Sequence, residues 1–133
     1  MDGSFRASDV VKRAFEAFDE RDLKALADLS DSEVEISSVT GIVAGHDKPY
    51  RGQNALGDYL QDVEKIWDEI ELVPQEFIDL DDGRVLVFGR VRARRQSARV
   101  DTPNAWLWEL HGDKIRSVKV YAEPTTDARW LFR

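Results

Sequence analysis

Apolar residues recur at two different periods along this chain, every three to four positions in its first half and every second position later. Val10, Val11, Ala14, Phe15 and Phe18 share one side of a helical wheel, with Lys12, Arg13, Glu16 and Asp19 on the other. That spacing predicts an amphipathic helix with Ser8 as its N-cap, ending near Glu20 and preceded by an arm over residues 1–7. Asp22 caps a second, short helix whose stripe is Leu23, Leu26 and Leu29. Val34 to Val39 alternates and predicts a first strand. The fifteen residues after it, with Gly41, Gly45, Pro49 and Gly52, carry too many breakers for regular structure and predict a long loop, a kind of segment more often functional than not in compact domains. Asn54 then caps a third helix with Leu56, Leu60, Val63 and Trp67 at successive helical spacings and Tyr59 and Ile66 alongside. Its other face carries Asp58, Asp62, Glu64 and Asp68, the pattern of a solvated surface.

From Ile70 onward the period is two. Ile70 to Leu80 reads as a strand, with Pro74 marking an edge or a bulge because it has no amide hydrogen to give the ladder. Asp82-Gly83 signals a turn into a long strand, Arg84 to Arg95, with Val85, Val87, Val91 and Ala93 on one face and Leu86, Phe88, Arg90, Arg92 and Arg94 on the other. The run 104–121 places two dense apolar stretches around His111-Gly112-Asp113-Lys114, a hairpin signal, and this hairpin is the expected centre of the sheet. Pro124 ends the last strand and residues 124–133 form a tail. Helices first and antiparallel strands after them predict an α+β fold, a curved antiparallel sheet wrapping three N-terminal helices around a hollow.

Composition narrows this to one domain. The chain has 133 residues, 42% of them hydrophobic, enough for one sizeable core. There is no cysteine, which excludes disulfides, thiolate chemistry and Cys-ligated zinc. The N-terminus mixes acids and bases where a signal peptide has an apolar core, so the expectation is a cytoplasmic protein with no membrane partner. A net charge of -7 disfavours nucleic acid. Arg84, Arg90, Arg92, Arg94, Arg95 and Arg99 run against that average with no acid between them. They read as a solvated strand face or a subunit interface, with anion binding as the rival.

Three runs carry a family resemblance: Arg21-Asp22-Leu23-Lys24-Ala25-Leu26 after the first helix, Tyr50-Arg51-Gly52-Gln53-Asn54-Ala55-Leu56 entering the third, and Ala105-Trp106-Leu107-Trp108-Glu109-Leu110 followed by Lys114-Ile115 and Tyr121. In this order and spacing the chain resembles the SnoaL-like branch of the nuclear transport factor 2-like superfamily. The resemblance implies a cone of curved antiparallel sheet closed by three helices. It also implies a pocket rimmed by the long loop. The superfamily holds isomerases, dehydratases, cyclases, epoxide hydrolases and non-catalytic binding or adaptor domains, and fold does not choose among them. Ketosteroid isomerase chemistry does not carry over: anchored on Arg21-Asp22-Leu23, its tyrosine position is Ala14 and its base falls at Ile36 or Ser37.

What remains is a cofactor-independent site. His46 and Asp47 lie in the loop with Tyr50 after them, and a histidine beside Asp47 or another carboxylate would titrate in the range a general base needs. Asp79, Glu109, Tyr121 and Glu123 are polar positions on strands. Tyr121 and Glu123 share a face with Ser117 and Lys119, and act as donor and base if that face points inward, or as surface residues if it points out. Trp106 and Trp108 also share a face, either a wall for a flat apolar ligand or an outer face where a second subunit packs. The expected site is therefore His46, Asp47, Tyr121 and Glu123 for acid–base chemistry, with Tyr50, Tyr59, Trp106 and Trp108 against a small, largely apolar organic molecule. With two histidines and no ligand spacing, no metal or other cofactor is expected. Four tryptophans in so short a chain favour a homodimer through the outer sheet face.

Overall fold

A computed structural model describes residues 6–52 and 54–122. The first stripe forms α1 (Ala7–Asp19), with Val10, Val11, Ala14, Phe15 and Phe18 all buried. Ser8 is not its N-cap. Arg6 stands in that position without a side-chain bond, and Ser8 is buried in the first turn, where its amide and hydroxyl donate to the two Asp79 carboxylate oxygens at 3.3 and 3.1 Å. A carboxylate from a distant strand thus does the capping, and its charge suits the positive end of the helix. That is the role of Asp79.

At the other end of α1 the chain reverses through Arg21 at φ 55°, with Arg21 N–H donating to the Phe18 carbonyl and Asp22 N–H to that of Ala17. This is a Schellman ending with arginine where glycine is usual. The guanidinium donates to the Phe18 and Ile70 carbonyls and lies 4.4 Å from the Phe18 ring, which offsets the strain. Asp22 then caps α2 (Leu23–Leu29), accepting from Ala25 N–H at 3.0 Å.

Strand β1 (Ser30–Ser37) follows directly. The stretch expected to be one irregular loop holds a short helix, α3 (Val39–Val43), and a two-residue strand, β2 (Tyr50–Arg51), which pairs Ile36 with Tyr50. Glycines and a proline break this segment into pieces rather than leaving it featureless. Helix α4 (Ala55–Ile66) buries Leu56, Leu60 and Val63, and Asn54 precedes it in helical geometry without making the expected cap bond.

Four long strands complete the sheet: β3 (Glu69–Asp79), β4 (Arg84–Arg95), β5 (Ala98–His111) and β6 (Lys114–Ala122). Their order is β2-β1-β6-β5-β4-β3, so the β5–β6 hairpin sits at the centre. Every pairing is antiparallel except β1 with β6, which is parallel. Among the described residues the fold is therefore α+β, three principal helices against a curved, unclosed six-stranded sheet. The inward face carries Val85, Val87, Trp106, Trp108 and Ile115, and Phe15 of α1 meets both indoles edge-on at 5.1 and 5.3 Å. Arg90, Arg92 and Arg94 find their acids across strands, while Arg84 bonds Asp82, two residues before it, at 2.9 Å. Arg90 bonds Asp101 at 2.7 Å, and Arg94 bonds Glu69 at 3.0 Å and Asp68 at 3.3 Å.

Pro74 sits at a bulge where the β3–β4 register shifts, and Gly89 stands opposite it. A Cβ on Gly89 would lie 2.1 Å from the Val73 carbonyl oxygen, a backbone atom that cannot move aside alone. Gly89→Ala is expected to cost about 3 kcal/mol in urea denaturation. A loss below about 1 kcal/mol would show that the bulge yields freely.

Candidate functional site

The cone formed by this sheet and its helices is not filled. One compartment of about 60 Å³ lies against α1 and is lined by Phe15, Phe18, Leu26, Leu56 and Trp108. A second, of about 230 Å³, is lined by Thr40, Trp67, Val91, Thr102 and Asn104. Ser38, Tyr59, Leu72, Trp106 and Val120 border both, so the two are neighbouring parts of one hollow. The lining is overwhelmingly apolar and includes no carboxylate and no histidine.

Its few polar groups are distinctive. Trp67 Nε1–H donates to the Thr40 hydroxyl at 2.9 Å, an ordinary satisfied pair. Asn104 is 1% exposed, yet neither its Nδ2 nor its Oδ1 has a partner, and Trp108 Nε1 has none either. Buried polar atoms are almost always bonded, and leaving one unbonded costs about 1–3 kcal/mol. The Tyr59 hydroxyl also makes no hydrogen bond among the described residues, and burial pushes its phenol above the ordinary tyrosine pKa.

At the rim, Asp62 of α4 accepts two side-chain bonds at the same Oδ2 atom, from Tyr50 hydroxyl at 2.6 Å and from His46 Nε2 at 2.9 Å. The bond from Tyr50, then that from His46, holds the Asp62 carboxyl below its ordinary pKa, while burial and then Asp62 push the Tyr50 phenol up. With Asp62 charged, this bond is made by the His46 tautomer that carries its proton on Nε2. His46, Asp47, Lys48 and Tyr50 line an adjoining cleft of about 300 Å³ that shares Ile36, Ser38 and Val120 with the hollow.

The expected residues are thus divided. Tyr59, Trp106 and Trp108 line the hollow, and the two tryptophans no longer argue for a subunit contact on the outer face. Tyr50 and His46 meet at the rim. Asp47 lies in the same cleft but is not the partner of His46; that partner is Asp62, from a helix face read as merely solvated. Tyr121 does not reach the hollow: Val118 and Val120 point inward, and Tyr121 shares the outward face of β6 with Lys119, whose ammonium lies 5.8 Å from its ring. Glu109, paired across the sheet with Ser117, is on that outward face and lies 3.6 Å from His111. Glu123 lies outside the described residues. Asn104 was missed, although its place in register with Trp106 and Trp108 marks it as inward once either indole is. Among the described residues no group of three or more His, Asp or Glu side chains could hold a metal ion, and no helix is long and apolar enough to cross a membrane.

The profile of the SnoaL-like domain family matches residues 11–118. No functionally curated protein matches the sequence. Among solved structures, an NTF2-like protein of unknown function from Burkholderia pseudomallei superposes with a TM-score of 0.78 at 18% identity, over 97% of this chain and 98% of that one. TerC co-crystallised with polyporic acid gives 0.77 at 20% identity, over 95% and 96%. A protein described as a SnoaL-like polyketide cyclase from Shewanella denitrificans gives 0.71 at 12%, over 94% and 96%. At such identities the likeness shows the shared fold.

The Asp62 cluster has a measurable signature. Its folded pKa is depressed, so its bonds stabilise the fold above the ordinary carboxylate pKa and are lost as pH falls through the folded value. Asp62→Asn is expected to cost about 2 kcal/mol at neutral pH. The melting-temperature gap to the unaltered protein should shrink as pH is lowered below about 4. A gap that stays constant to about pH 2 would mean the Asp62 charge contributes nothing.

Proposed function

Because this chain belongs to the SnoaL-like domain family, we propose that it binds one small, largely apolar organic molecule inside the cone. The observation that carries this reading is the unfilled apolar volume between Tyr59 and Trp106, about 230 Å³ in its larger part. Ligand hollows begin near roughly 300 Å³, so a molecule of about two fused rings matches the space. The co-crystallisation of TerC, a protein of the same fold, with polyporic acid supports an organic ligand here.

A second reading, acid–base catalysis on that ligand, has one observation in its favour. His46 is held by Asp62 and lines a cleft that adjoins the hollow. Against it stands the lining of the hollow itself, which offers no base. Binding is therefore the primary function, and any chemistry belongs at the rim.

Naphthalene serves as a probe, its binding followed through indole fluorescence. Val120→Phe, which projects a ring into both compartments and the rim cleft, should weaken naphthalene binding about tenfold or more while circular dichroism stays native. His46→Gln should leave that affinity within about twofold, because His46 lines neither compartment of the hollow. Equal affinity of naphthalene for the unaltered protein and the Val120 variant would overturn binding in the cone.

A further inference from the structure

Strand β5 sends three successive side chains into the hollow, Asn104, Trp106 and Trp108, paired on the same face with Ala122, Val120 and Val118 of β6. The outer two carry polar atoms with no partner, and both are more than nine-tenths buried, Asn104 at 1% and Trp108 at 9% exposure. Asn104 borders the larger compartment, Trp108 the smaller, and Trp106 both. Four residues of extended chain separate the two polar positions by about 13 Å at Cα. The row is an aromatic wall with an unpartnered polar group at each end.

The two ends differ in kind. A carboxamide presents a donor and an acceptor side by side, so a ligand satisfies both only with an adjacent acceptor and donor of its own. An indole N–H only donates and takes a lone oxygen. No charged side chain lines either compartment, so an ionised ligand group would be buried without a counter-charge. We propose that the ligand is a flat, neutral molecule with polar groups at both ends: an adjacent donor and acceptor, as in a lactam, carboxamide or hydroxy-ketone, at Asn104, and a single oxygen acceptor at Trp108. This names the ligand class of the cone-binding reading and rests on it.

The test uses probes of one size on the full chain, with affinities from fluorescence titration: naphthalene, carbostyril, which adds a fused lactam, and carbostyril bearing a methoxy group on its far ring. Carbostyril is expected to bind about tenfold or more tighter than naphthalene, and the methoxy group to add about threefold. Asn104→Leu should erase the preference for the lactam while naphthalene affinity holds, and Trp108→Phe should erase only the methoxy gain. Binding of naphthalene with no preference for carbostyril in the unaltered protein overturns the ligand class and leaves cone binding standing; the Asn104 and Trp108 atoms are then met by water. Failure of all three probes overturns cone binding and this inference with it. The comparison on the unaltered protein decides the matter even if a variant does not fold.

Discussion

The edge-on contact of Phe15 with Trp106 and Trp108 is the constraint on which the rest of this structure depends. Two indoles standing side by side on a strand are too deep for a helix to lie close above them, so α1 is held off the sheet by one phenyl ring. Phe77 braces the same ring from β3 at 6.0 Å. Helix and sheet are thereby fixed in position, and the smaller compartment of the hollow lies beside that contact, lined by all three rings. A core of aliphatic residues would collapse onto itself; rings set at steep angles keep a gap. The large side chains thus act as spacers, and the few polar atoms lying among them matter more because water has little access.

Much of the fold was legible because periodicity is a local property. β4 runs from Arg84 to Arg95, as its alternation predicts, and the β5–β6 hairpin takes the centre of the sheet, as its apolar density implies. What local pattern cannot supply is a partner far along the chain. Ser8 looks like a helix cap because serine commonly is one, but a carboxylate 71 positions away does the capping. Arg90, Arg92 and Arg94 of β4 look unpaired in sequence and are paired in the sheet. The acidic face of α4 looks uniformly solvated, yet Asp62 alone turns to the rim. In each case a charged or polar group was correctly seen and its partner was not.

The candidate site shows the same limit from the other side. Alternation correctly puts Trp106 and Trp108 on one face and Tyr121 with Lys119 on another, but the choice of inside depends on where the helices land. Once Phe15 covers the indoles, the outward position of Tyr121 follows and the donor–base pair imagined there dissolves. Asn104 carries no sequence signal of its own, since an asparagine before a hydrophobic run reads as ordinary strand-flanking polarity. Its meaning comes from burial without a partner, a property that exists only in three dimensions.

The single parallel pairing, from Ser30 against Ile115 to Ser37 against Lys119, has a consequence for how the chain is made. Strands β3 to β6 are joined by short turns and pair with their neighbours in sequence, a topology that assembles step by step. β1 has to wait for β6, some eighty residues later, and such a long closure is entropically slow. During synthesis α1, α2 and β1 emerge from the ribosome long before β6, the strand that joins β1 to the rest of the sheet. The join between β1 and the rest of the sheet is therefore the last to close, and a chain stopped short of β6 would leave β1 and β2 with no strand linking them to β3, β4 and β5.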